Sequence, residues 1–143
     1  MKRHSDWEKR LDSFCRARRS VPFAWGVNDC ALFVADAIES FTGIDLAHEC
    51  RGRYDSKESA AALLNELCGG DLEKYADRMG FEHGLLEVGL KLARRGDMVL
   101  LWQPAGCSLG IVSLDGMNAL LMHEERGLIR VPVAACRRAW RVG

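Results

Sequence analysis

Cys30 is the residue best placed by its neighbours to do chemistry. It follows the run Phe23-Ala-Trp-Gly-Val-Asn-Asp29 and opens an apolar stretch through Ala31, Leu32, Phe33, Val34 and Ala35. Asp29 can cap a helix starting at Cys30, because its carboxylate can accept from first-turn amides that lack an intrahelical partner. A thiol on that first turn meets free amides and the positive helix end, which favour the nucleophilic thiolate. The same residue also fits a plainer role, since a cysteine on an apolar helix is commonly a buried core thiol.

A cysteine nucleophile needs a base, and the chain has four histidines, His4, His48, His83 and His123. His4 lies in a terminal tail, His48 and His83 lie in predicted loops, and His123 ends a predicted strand. Spacing along the chain pairs none of them with Cys30. The other cysteines are Cys15, Cys50, Cys68, Cys107 and Cys136, with no C-x-x-C among them. His48 and Cys50 have no recognised zinc spacing, so neither a metal nor another cofactor is expected. If Cys107, beside Ser108, faced Cys30, the thiol pair would suggest redox sensitivity.

The elements that must position these groups follow from period and punctuation. Ser5 and Glu8 have capping-box spacing, and Trp7, Leu11, Phe14 and Cys15 share one helical face, predicting a helix over 5–18. Residues 20–28 hold Pro22, Gly26 and Asn28 and form a loop. A central buried helix runs from Cys30 to a stop at Gly43. After an irregular stretch over 44–55, Asp55 or Ser56 opens a third helix that closes at Gly69 and Gly70. A short helix from Asp71 to Met79 ends at Gly80. Beyond Arg95 the period changes to strands over 98–102, 109–114, 119–123 and 128–131, with another at 139–142. Helices first and a strand meander second predict an α+β domain, the N-terminal helices packing on a small antiparallel sheet or half-barrel.

With 143 residues and 48% hydrophobic content, the chain suits one domain over 1–143. Its parts are an N-terminal helix over 1–20, the cysteine-bearing and following helices over 23–68, and a sheet over 96–143. Twenty basic residues balance twenty acidic ones, which gives no case for a nucleic-acid partner. The clusters of Arg and Lys at both chain ends are expected to be solvated faces. No apolar run approaches the roughly 20 residues of a membrane span, and no signal-peptide core follows the basic start, so synthesis in the cytoplasm is expected.

Trp25-Gly26 with Asp29-Cys30 resembles the nucleophile motif of NlpC-like cell-wall cysteine peptidases, a papain-like family. Other segments agree in order. Thr42-Gly43-Ile44-Asp45-Leu46 resembles the exit from that family's catalytic helix, Gly96-Asp97-Met98 its Gly-Asp strand entry, and Leu109-Gly110-Ile111 its His-Val-Gly-Ile strand. The resemblance implies catalysis by Cys30 with a histidine at the head of that Val-Gly-Ile strand, and the position is Ser108. Serine cannot supply an imidazole base near neutral pH. Val27 stands at the loop's second glycine, and Ala31-Leu32 replaces Ser-Gly after the nucleophile. His123 falls near the family's third polar residue. It is a relic of a triad, a base reaching Cys30 through a rearranged pocket, or a half-exposed strand histidine.

Trp-Gly-x-x-Asp-Cys, Arg51-Gly52-Arg53-Tyr54, Arg95-Gly96-Asp97 and Ala139-Trp140-Arg141 together resemble a group of phage and prophage tail-gene proteins. That resemblance implies a tail-tip (baseplate) or tail-assembly component located in the virion tail, partnered by tail-tip and hub proteins, with a degenerate active site. Candidate site residues are Cys30 and His123 as catalytic groups, with Trp25, Asp29 and Ser108 in binding roles. The alternative is an active hydrolase that cuts peptidoglycan stem peptides during phage entry, with Cys30 attacking the amide and His123 or His48 as its base. A thiol-redox protein is a weaker third reading, because C-x-x-C is lacking.

Overall fold

In the computed structural model, which describes residues 1–143, four helices precede all six strands. They are α1 (Trp7–Arg18), α2 (Cys30–Thr42), α3 (Lys57–Cys68) and α4 (Leu72–His83). The strands are β1 (Leu86–Val88), β2 (Met98–Gln103), β3 (Gly106–Val112), β4 (Asn118–His123), β5 (Gly127–Pro132) and β6 (Arg138–Arg141). All six pair antiparallel in one sheet of order β1-β6-β2-β3-β4-β5. The expected α+β class is the observed one.

The main core lies between α2 and the sheet, where Phe33, Ile38 and Phe41 meet Leu100, Leu109, Ile111 and Trp140. Burial of such side chains stabilises by about 1.5–3 kcal/mol each. A second, smaller core sits on the opposite face of the sheet, built from Val99, Leu101, Val112, Ala119, Leu121 and Val133. Two cores explain why β2 is apolar at successive positions. Met98 and Leu100 serve one face, Val99 and Leu101 the other, so the usual polar alternation of a half-exposed strand is absent.

The start of α2 follows its sequence signal: Asp29 accepts from the Leu32 amide at 2.9 Å, and Gly43, in the left-handed region, closes the helix. Ser56 caps α3 in a capping box completed by Ser59. Three local expectations differ from the structure. No capping box forms at Ser5 and Glu8; α1 starts after Asp6, whose carboxylate is held by Arg10 at 2.7 Å instead of by a helix amide. Gly80 does not end α4, which continues to His83 and is capped by Gly84. Here glycine answers a packing need: a Cβ on Gly80 would lie 3.2 Å from Cδ1 of Trp140. The short strand β1, unanticipated in the sequence, pairs with β6 and forms one sheet edge.

The basic chain ends are also not simply solvated. Arg3 donates to the Val142 and Arg95 carbonyls at 2.7 Å each and to Asp97 at 3.3 Å, while its guanidinium lies 4.1 Å above the Trp7 ring. Arg141 donates to Asp97 at 3.0 Å, and Arg138 bonds Glu73, Asp77 and Glu87. Asp97 is fully buried, and it also accepts from the amides of Arg94 and Val142. The Gly96-Asp97 turn thus ties both chain ends to the sheet. No helix is long and apolar enough to cross a membrane.

Candidate functional site

Cys30 sits at the tip of α2, partly exposed, where two pockets meet. Its loop is held from beneath by Asp29. One carboxylate oxygen of Asp29 caps α2, and the other accepts from the Gly26 amide at 2.9 Å and from the Tyr54 hydroxyl. Burial and the Asp29 charge together push the Tyr54 pKa well above its ordinary value, so the phenol remains a donor. Gly26 has φ +78°, and a Cβ there would stand 2.1 Å from the Tyr54 carbonyl oxygen. The Trp-Gly-x-x-Asp-Cys loop and the Arg51–Tyr54 segment are therefore one packed unit. Arg51 extends it, bonding Asp45 at 2.7 Å and Asp36 at 2.5 Å.

Asn28, buried beside Asp29, has a role that its loop-forming composition did not reveal. Its side chain accepts from Arg18 at 2.8 Å and donates to the Pro22 carbonyl at 3.0 Å. Arg18 in turn bonds Asp36 at 2.6 Å, linking α1 to α2. The signal was an asparagine two residues before the candidate nucleophile, and it identified neither partner.

Across from Cys30 lies the start of β3. Pairing of β3 with β2 runs from Met98↔Ile111 to Gln103↔Gly106, whereas pairing with β4 covers only Ile111↔Leu120 and Val112↔Ala119. The strands part beyond those pairs, and Ser108 and His123 both line the opening, a pocket of about 290 Å³ shared with Cys30, Gln103 and Glu124. The Ser108 hydroxyl donates to Gln103 at 3.3 Å, and the presence of Ser108 and of the Leu109 amide beside the Cys30 sulfur works in the direction that favours thiolate. Burial outweighs them, with the Asp29 charge and the Cys107 thiol adding to the rise, and the Cys30 pKa is pushed up to about 11. The expected thiolate-favouring helix start is thus overridden. Packed protein around the sulfur costs the anion more solvation than those donors return.

His123 shares the pocket but has its own commitments. Its Nδ1 accepts from the backbone amides of Glu125 and Arg126, both at 3.1 Å, so the neutral ring carries its proton on Nε2. The lone pair a base would use is occupied by the β4–β5 turn. His48 is exposed in the turn after α2 and lines neither pocket at Cys30, His83 ends α4, and the His4 amide bonds Phe41 near the end of α2.

Trp25 lines both pockets, its ring 5.0 Å from that of Phe23 in an edge-on arrangement. Cys107 also lines both, so the structure brings the two thiols to one place; burial raises the Cys107 pKa as well. Lys57, the first residue of α3, is a further shared lining residue that no motif marked. No group of three or more His, Cys, Asp or Glu is arranged to hold a metal ion.

A cysteine at the mouth of a central helix, facing the head of an antiparallel strand, belongs to an α+β fold of the NlpC/p60 type. The structure is similar to the crystal structure of the NlpC/p60 domain of peptidoglycan hydrolase SagA, with a TM-score of 0.59 over 94% of this chain and 97% of that chain, at 15% sequence identity. The chain belongs to the family described as Domain of unknown function (DUF6950), whose model matches residues 2–142. No curated protein matches it.

Proposed function

We propose that residues 1–143 act as one NlpC-like unit in a phage tail tip (baseplate) or in tail assembly, with an active site that has lost its dyad. The observation that carries the loss is Ser108: at the strand head facing Cys30 stands a hydroxyl, where hydrolysis by cysteine needs an imidazole. With the thiol pushed up to about 11, the protonated form of Cys30 dominates at pH 7. The tail role is supported by the ordered resemblance of Trp25-Gly26, Asp29-Cys30, Arg51–Tyr54 and Ala139–Arg141 to tail-gene proteins. Its partners are then tail-tip and hub proteins, and its location the virion tail.

A second reading, hydrolysis of peptidoglycan stem peptides, is favoured by the pocket that holds Cys30 and His123 together. The similar solved structure is a domain of a peptidoglycan hydrolase, which points the same way. In this reading His123 must release Nδ1 from the turn or change tautomer before it takes the thiol proton.

Muropeptide release from purified peptidoglycan separates the two. The expected result is no release by the parent protein or by Cys30→Ala, and measurable release by Ser108→His. Release by the parent that disappears in Cys30→Ala overturns the degenerate-site reading. Mass spectrometry of purified virions tests the location, and tails lacking this chain overturn a tail-tip position.

A further inference from the structure

Behind Cys30, between α2, α3 and α4, lies an apolar pocket of about 210 Å³ that the proposed function does not use. Leu32, Ala61, Leu64 and Met79 are among the side chains of its wall. Its polar groups are already engaged. Asp29 receives Leu32, Gly26 and Tyr54, and the Tyr75 hydroxyl receives the Cys50 thiol at 2.9 Å. No buried side-chain nitrogen or oxygen lacks a partner, so nothing inside calls for a bound water.

The other charged lining residue is Lys57, exposed at the rim shared with the polar pocket on the far side of Cys30. The wall is thus apolar apart from the engaged Asp29, and Lys57 is the one cation at its rim. An apolar cavity of about 150 Å³ accepts benzene, and pockets for drug-sized molecules begin near roughly 300 Å³. A volume of about 210 Å³ lies between them and suits an aliphatic chain of medium length.

We propose that this pocket binds an aliphatic monocarboxylate of medium chain length, its tail against Leu32, Leu64 and Met79 and its carboxylate at the Lys57 ammonium. The ligand is a free fatty acid, since an esterified acyl chain has no carboxylate to offer the rim. Binding needs neither a reactive thiol nor a tail neighbour, so it stands or falls separately from the function proposed above.

Titration calorimetry on the full chain with octanoate, butyrate and 1-octanol tests it. Octanoate should bind saturably and more than about tenfold tighter than butyrate, because four further methylenes are buried. Lys57→Gln should weaken octanoate about two- to fivefold, the strength of an exposed ion pair, and leave 1-octanol unchanged. Ala61→Phe, a substitution at an exposed helix position on the pocket wall, should weaken both octyl ligands about tenfold or more by filling the space. Absence of saturable octanoate binding at millimolar concentration overturns the proposal, as does octanoate affinity indifferent to Ala61→Phe. Unchanged octanoate affinity in Lys57→Gln overturns the carboxylate assignment.

Discussion

The Tyr54 hydroxyl donates to the Asp29 carboxylate that caps the helix bearing Cys30. Residues 25 positions apart thereby share one anchor, and the position of the thiol depends on a segment that carries no reactive group. Tyr54→Phe removes one donor from a buried carboxylate that keeps the Gly26 and Leu32 amides. We expect a loss of about 2 kcal/mol, seen as a lower urea midpoint with unchanged slope.

Gly26 shows how close the two segments lie. Gly26→Ala places a Cβ at 2.1 Å from the Tyr54 carbonyl oxygen and also forces a side chain to φ +78°. Backbone strain and overpacking together should cost about 2–4 kcal/mol in denaturant unfolding. Val27→Ala, on the exposed neighbour, should fall within about 0.5 kcal/mol of the parent.

Asp97 gathers Arg3, Arg141 and two backbone amides in a fully buried position. Asp97→Asn removes the charge while leaving both guanidinium groups in place. About 3–5 kcal/mol of stability should be lost, and amide hydrogen exchange should accelerate first at Val142 and in β6.

Cys15, Cys30 and Cys136 all have thiols pushed up to about 11 from an ordinary 9.0, with burial as the leading cause. Between those values the folded chain holds more protons than the unfolded one. Stability contributed by these thiols is therefore whole below about pH 9 and is lost as pH rises toward 11. The urea midpoint should fall across that window, and Cys136→Ala should flatten part of the fall.

The same ordering applies to reactivity. Alkylation of Cys30 by iodoacetamide, followed by mass spectrometry, should be slow at pH 7 and climb until about pH 11. In Ser108→His an imidazole beside the sulfur should move the rise to lower pH, by about one unit or more. A parent profile already flat at pH 7 contradicts the raised thiol.

Where an element is decided by its own neighbours, it was legible in the sequence. The Asp29 cap, the Gly43 stop, the Ser56 start and the change of period after Arg95 all rest on groups within a few residues of one another. The sequence is silent where a distant residue intervenes. Arg10 takes the Asp6 carboxylate, Trp140 packs on Gly80 within α4, and Asp97 draws in Arg3 and Arg141 from ends expected to be solvated.

The sequence by itself determined that a cysteine opens an apolar central helix behind an Asp cap, that an antiparallel sheet follows, and that no histidine heads the Leu109–Val112 strand. Only the tertiary structure decided that Ser108 lines the same pocket as Cys30, that His123 shares that pocket with Nδ1 already engaged, and that Arg51–Tyr54 holds the cysteine loop. It also decided the proton on Cys30. Helix-end amides are a local feature and favour the thiolate, but desolvation depends on how closely α2 and the head of β3 approach, a distance set by strand register and core packing.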